Sequence, residues 1–233
     1  MKRLIVLIIT ALLAAPSLLS APAAAASLPE LKAAAEEAAQ AASSAPGEYA
    51  ANWTAAMDLR KYGDELVTQK APGWKDLANA AATEGMKFGA IAQKLDPTGV
   101  EGWYWYGLCV GTHSDCVSVF SALTEGLKGK TQKAFETASF LDNSYDTGGP
   151  ILALGRFWQV LPGIAGRDLK KAEKLFDEYM AGFGSSPDAN KDAWYFRGSL
   201  YKETHRIPQA RADLEKAASM GQKDAPKLLA ELK

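Results

Sequence analysis

The densest collection of side chains able to do chemistry is Cys109, His113, Asp115 and Cys116, which fall within eight positions. A histidine beside an acid suits proton transfer, and a thiol can act as a nucleophile or a metal ligand. A closed zinc site, however, needs four ligands, and one His next to one or two Cys does not supply them. The two cysteines are seven residues apart, with Gly111-Thr-His-Ser-Asp115 between them. If one helix ends near Gly111 and another starts at Ser114 or Asp115, a Cys109–Cys116 disulfide closes the corner; two free buried thiols are the alternative. The chain has only two histidines, and the second, His205, has no nucleophile motif near it. No G-x-S-x-G, P-loop or H-E-x-x-H pattern occurs. Gly148-Gly149 is followed by Pro150, which has no N–H to offer a phosphate. The acidic residues are spread singly, as on solvated helix faces. The chemistry-bearing residues therefore assemble no catalytic constellation, and the expectation is a protein that is not an enzyme and has no cofactor.

The elements that would position these groups are legible in Trp194 to Ala217, WYFRGSLYKETHRIPQARADLEKA. This stretch follows the 34-residue helix–turn–helix pattern W-x2-L-G-x2-Y…A-x3-F of tetratricopeptide (TPR) repeats. Trp194, Gly198, Tyr201 and Ala210 occupy four markers, Leu214 takes the Phe place, and Arg197 departs from the Leu. The spacing has a steric cause: two antiparallel helices approach closest where their side chains are smallest. Gly107, Gly155 and Gly198 recur at equivalent positions, with Met57 as the weakest counterpart. Phe135 and Phe176 take the place that Leu214 fills in the last unit. Almost no segment alternates with period two, so strands are not expected. The predicted fold is all-α, a TPR-like superhelical stack of about four divergent hairpins, with an inserted helix and a C-terminal capping helix.

Along the 233 residues, MKRLIVLIITALLAAPSLLSAPAAAAS reads as a signal peptide over 1–26. Lys2 and Arg3 are its charged region, Leu4 to Ala15 its apolar core, and Ala23 to Ala26 offer cleavage sites. An uncleaved anchor is the alternative, but the apolar core is short for a span. No cysteine follows where a lipid would attach. The mature chain is expected to be periplasmic or secreted and soluble, with no transmembrane span. Residues 27–47 read as an Ala-rich leader helix and linker, broken at Ser43-Ser-Ala-Pro-Gly47. The repeat domain follows over 48–233. Its first hairpin is Glu48 to Lys70 with Trp74 to Lys94, the latter carrying Gly85, Gly89 and Ala92 on one stripe. Gly99 to Gly111 begins the second unit. An extra helix over Ser114 to Leu127 then precedes Thr131 to Leu141. Gly148-Gly-Pro150 opens the third unit, which the insertion Pro162 to Gly166 divides. A cap is expected over Lys223 to Leu232. The net charge of −1 gives no electrostatic reason to expect nucleic acid.

In such stacks the first helices line a concave surface. The inward positions are Tyr104, Leu108, Leu152, Arg156, Gln159, Tyr195, Ser199 and Lys202, a mixture that suits a small-molecule pocket or a peptide groove. Tyr104, Leu108 and Leu152 read equally well as plain core, and Arg156 as a solvated or paired charge. The run Trp103-Tyr-Trp-Tyr106 covers every face of its helix, so at least one ring must point away from its own hairpin. Asn52-Trp-Thr54 is a glycosylation sequon, meaningful only in a host that glycosylates.

Tyr145 to Phe176, YDTGGPILALGRFWQVLPGIAGRDLKKAEKLF, resembles the central motif of the T component of tripartite ATP-independent periplasmic (TRAP) transporters. DPTGVEGWYWYGLCVG is similar to the segment that precedes that motif. The inserted helix before TQKAFETASFLDNSYD fits as well, and the resemblance spans Leu95 to Met220. It implies a periplasmic helical repeat protein that partners the transporter's solute-binding protein and holds a small hydrophobic ligand or passes it onward. A structural scaffold of the cell envelope, joining proteins without a small ligand, is the other function this fold serves. Self-association into a homo-oligomer is compatible with either.

Overall fold

The structure is a computed structural model that describes residues 26–70 and 72–232. The signal segment therefore lies outside the described residues, Ala26 excepted. Eleven α-helices follow one another without strands among the described residues. They are α1 (Leu28–Ser44), α2 (Tyr49–Gln69), α3 (Trp74–Leu95), α4 (Val100–Cys116), α5 (Val119–Thr124) and α6 (Leu127–Leu141). Then come α7 (Tyr145–Val160), α8 (Leu169–Phe183), α9 (Lys191–Glu203), α10 (Ile207–Ser219) and α11 (Ala225–Ala230).

The helix ends follow from local chemistry. Ser27 and Glu30 form a capping box at α1, and Asp168 and Asn190 cap α8 and α9 with their side chains. Lys70 closes α2 at φ 51°, in the left-handed region. Asp146, Thr147 and Gly148 make a left-handed turn at φ 50°, 53° and 82°, and the right-handed part of α7 runs on from there. Only Gly148 takes that conformation without steric cost. Tyr104 compensates by donating its hydroxyl hydrogen to Asp146 Oδ2 at 2.8 Å.

Four hairpins stack: α2 with α3, α4 with α6, α7 with α8, and α9 with α10. The helix α1 packs on α2, where Ala35 and Ala42 are buried, and α11 covers α10. In three hairpins the predicted glycine sits against the predicted large residue. A Cβ on Gly107 would stand 2.6 Å from Phe135 Cε1, one on Gly155 2.7 Å from Phe176 Cε1, and one on Gly198 2.9 Å from Leu214 Cγ. Real Cβ atoms do not approach so closely, so only glycine permits these separations. The first hairpin reverses the arrangement: its close-approach glycine, Gly85, is on the second helix, against Leu59 and the Ala56 carbonyl of α2. Gly85 also meets Cys109 Sγ, and Gly89 meets Tyr106. The small-residue stripe of α3 therefore joins repeat one to repeat two as well as closing its own hairpin.

The aromatic run on α4 distributes its rings between repeats. Tyr106 backs onto Gly89 of α3, while Tyr104 reaches Asp146 and Trp105 Nε1 donates to Tyr145 Oη at 3.0 Å.

Two expectations are corrected here. The helix α4 does not end near Gly111 but continues through Cys116, so no corner exists for a disulfide. Seven residues of helix rise about 10 Å, well beyond the Cα separation of about 7 Å that a bridge can span. Both thiols are free, with Cys109 buried and Cys116 half-buried. The inserted helix is also shorter than expected, Val119–Thr124, because Gly126 at φ 65° stops it and starts α6 at Leu127.

Candidate ligand cleft

The first helices of the four hairpins, α2, α4, α7 and α9, face a cleft of about 700 Å³. That volume lies within the range of small-molecule sites. Tyr104 and Leu108 from α4 and Leu152 and Arg156 from α7 line it. The other four sequence candidates do not. Gln159 is buried in the joint between α7 and α9, where its Nε2 donates to the Phe196 carbonyl at 2.9 Å and to Ser199 Oγ at 2.8 Å. Ser199 thus belongs to the joint. Lys202 pairs with Glu231 near the C-terminus. Tyr195 is half-buried beside Arg156 without lining the cleft.

The two inserts that interrupt the repeats form one end of the cleft. Val119, Ala122 and Leu123 come from α5, and Leu161, Pro162 and Ala165 from the segment after α7. Val119, Leu123 and Val160 are each about half exposed, and Ile164 beside them is 87% exposed. The mouth is therefore apolar and open to water. His113 anchors α5 there: its Nδ1 lies 2.6 Å from Asn79 Oδ1 and its Nε2 2.8 Å from Glu125 Oε2. This use of His113 is structural, and among the described residues no group of His, Cys, Asp and Glu is placed to hold a metal ion. At the opposite end Asp146, Gly149, Asn190 and Asp192 form a polar wall.

Of the charged groups between these ends, the sequence singled out Arg156 as an inward position and Asp115 only as a neighbour of His113 and Cys116. Arg60 bonds Asp64 at 2.8 Å one turn along α2. Arg156 lies over the ring of Phe196 at 4.5 Å and donates from Nη1 to Gln159 Oε1 at 3.0 Å. Burial holds its pKa below the ordinary value for arginine. Asp115 lines the cleft from the last turn of α4 and is exposed to its water. Partial desolvation by the cleft walls pushes its carboxyl above the usual range. Asp192 is raised for the same reason, although a hydrogen bond from Gln222 opposes the shift. Their signal in the sequence is weak, because single charges on helices usually mark solvated faces.

Asn52 of the sequon is fully buried, its Nδ2 donating to the carbonyls of Pro46 and Glu48. It is closed to glycosylation in the folded chain. Among the described residues no helix is long and apolar enough to cross a membrane.

Stacked hairpins around a concave cleft define an all-α, TPR-like repeat protein. A solved structure similar to it is that of TTC0263, a thermophilic TPR protein of Thermus thermophilus. The likeness has a TM-score of 0.53 at 15% identity and covers 87% of this chain and 98% of that one. At this identity it concerns the fold. No protein-family model and no curated protein matches the chain.

Proposed function

We propose that this protein is a periplasmic accessory component of a TRAP-type transport system. In this reading residues 1–26 are an export signal, and the mature chain holds a small, largely apolar ligand in its concave cleft and docks a solute-binding protein. The observation that supports this best is the cleft itself: about 700 Å³, with an apolar mouth built by the two segments that depart from the plain repeat. A stack whose only task is to join proteins has no need for inserts that enclose a cavity. The transport assignment rests on the resemblance of Tyr145 to Phe176.

The direct test is sedimentation of the mature chain with a TRAP-type solute-binding protein of the same organism, together with native mass spectrometry of the gently purified chain. A discrete complex and a retained small molecule are expected. No complex and a bare mass would reject the reading. The scaffold reading draws on one specific feature, Phe140 on α6, which is 88% exposed and lies outside the cleft. On that reading, Phe140→Ser abolishes partner binding and no small molecule is retained.

A further inference from the structure

Arg156 and Asp115, of opposite sign, stand in the cleft without ion-pair partners. Among the described residues Arg156 has one side-chain hydrogen bond, to the neutral Gln159, which leaves most of its five N–H donors unused. Asp115 has no hydrogen-bond or ion-pair partner among the described residues. It also sits at the negative end of the α4 dipole, where a carboxylate is disfavoured. Each feels the other's charge, yet they do not meet within ion-pair distance. Of the other charges that line the cleft, Arg60 pairs with Asp64 through Nη1, Lys61 with Asp58, Asp146 with Tyr104 and Asp192 with Gln222, while Lys128 is an exposed surface cation. A guanidinium that is largely out of water is ordinarily paired, because desolvation without a partner is costly, and Arg156 is not. Arg156 within the cavity wall and Asp115 exposed to the cavity's water, both unpaired and both lining one cleft, mark positions that a ligand completes.

The sign balance narrows the ligand class. Four basic side chains (Arg60, Lys61, Lys128, Arg156) and four acidic ones (Asp64, Asp115, Asp146, Asp192) line the cleft. An anion or a cation alone would satisfy one unpaired group and leave the other stranded. A ligand that is neutral overall but charge-separated satisfies both. We infer that the cleft binds a small zwitterion with an apolar body, an apolar α-amino acid or a peptide of two to three residues. Its carboxylate lies on Arg156, its ammonium on Asp115, and its side chains among Val119, Leu123 and Leu161 at the apolar end. This rests on the reading of the cleft as a ligand site.

The test is calorimetric titration of the mature chain with L-leucine and with trileucine, which separates the two sources of this chemistry. 4-Methylpentanoate and 3-methylbutylamine, each lacking one of leucine's charges, serve as comparators. One-to-one binding of leucine or trileucine is expected. Loss of either ligand charge should weaken binding at least about tenfold, as for charge-assisted hydrogen bonds. Arg156→Gln should weaken the zwitterion by a similar factor and leave the amine unchanged; Asp115→Asn should weaken the zwitterion likewise and leave 4-methylpentanoate unchanged. If 4-methylpentanoate binds as tightly as leucine, the zwitterion assignment falls. It also falls if neither zwitterion binds while the neutral dye N-phenyl-1-naphthylamine saturates one site, though the cleft then remains a ligand site. Failure of both the zwitterions and the dye overturns both readings.

Discussion

Gly155 of α7 lies so close to Phe176 of α8 that a Cβ on it would stand 2.7 Å from the ring edge. The pair Gly107 and Phe135 repeats this one hairpin earlier, at 2.6 Å. Each Phe is nearly or fully buried and has little room to withdraw. Gly155→Ala and Gly107→Ala should therefore each destabilise the fold by roughly 1–3 kcal/mol through overpacking. That cost outweighs the gain of up to about 1 kcal/mol that alanine brings to a helix interior. Gly111, also within α4, has nothing within 4 Å of its missing Cβ. Gly111→Ala should stabilise the chain by roughly 0.5–1 kcal/mol. Chemical denaturation of the three variants checks the contrast in sign.

The thiols should behave as two separate groups. Burial pushes the Cys109 thiol up to about 12, and Cys116 is raised to a lesser degree at a half-buried site. Thiolates, not thiols, react with disulfide reagents. A reagent titration of the native chain should label Cys116 alone, and slowly, and unfolding without reductant should release two reactive thiols. Mass spectrometry of the protein purified without reductant should show no loss of two hydrogens.

Asp115 should cost stability at neutral pH. Its carboxyl titrates above the ordinary value of 3.8 because the enclosing protein disfavours the ionised form. The folded chain thus holds this proton more tightly than the unfolded chain does. The contribution to stability is most favourable below the unfolded pKa and is lost as pH rises through the folded one. Asp115→Asn should accordingly raise Tm at pH 7, modestly because cavity water screens the charge, and the gain should vanish below about pH 3.8. A variant that is more stable yet weaker in ligand binding is the usual sign of a functional position.

Tyr104 should matter for the left-handed turn that opens α7. Its hydroxyl is the donor that holds Asp146, which keeps φ at 50°. Tyr104→Phe should cost about 1–3 kcal/mol, as expected for a hydrogen bond to a charged group. Amide exchange should quicken at residues 146–149 before it does elsewhere.

Much of the stack can be read from the sequence because its determinants are local in spacing. Trp194, Gly198, Tyr201, Ala210 and Leu214 lie within two adjacent helices, and a close helix pair demands a small residue opposite a large one. The course of α4 past Gly111 was not legible. Glycine within a helix and glycine at a helix end look alike when the partner surface is unknown, and that ambiguity produced the expected disulfide. Tyr104, Leu108, Leu152 and Arg156 follow the repeat's inward register into the cleft. Gln159, Ser199 and Lys202 follow the same register into inter-helix joints or the C-terminal cap. Register fixes the face of a helix, while the neighbouring repeat decides whether that face meets solvent. The α5 lining was hidden for a different reason: it belongs to an insert that the repeat pattern does not describe.

The proposal that the concave cleft is a ligand site is tested most directly by titrating N-phenyl-1-naphthylamine into the chain lacking residues 1–26 and into its Ala153→Trp variant. Ala153 lines the cleft and is only half-buried, so a larger side chain there fills the cavity from its wall. One saturable site is expected in the parent chain, absent from a variant whose helical circular dichroism is unchanged. Equal dye binding by both chains, or no saturable site in the parent, would contradict it.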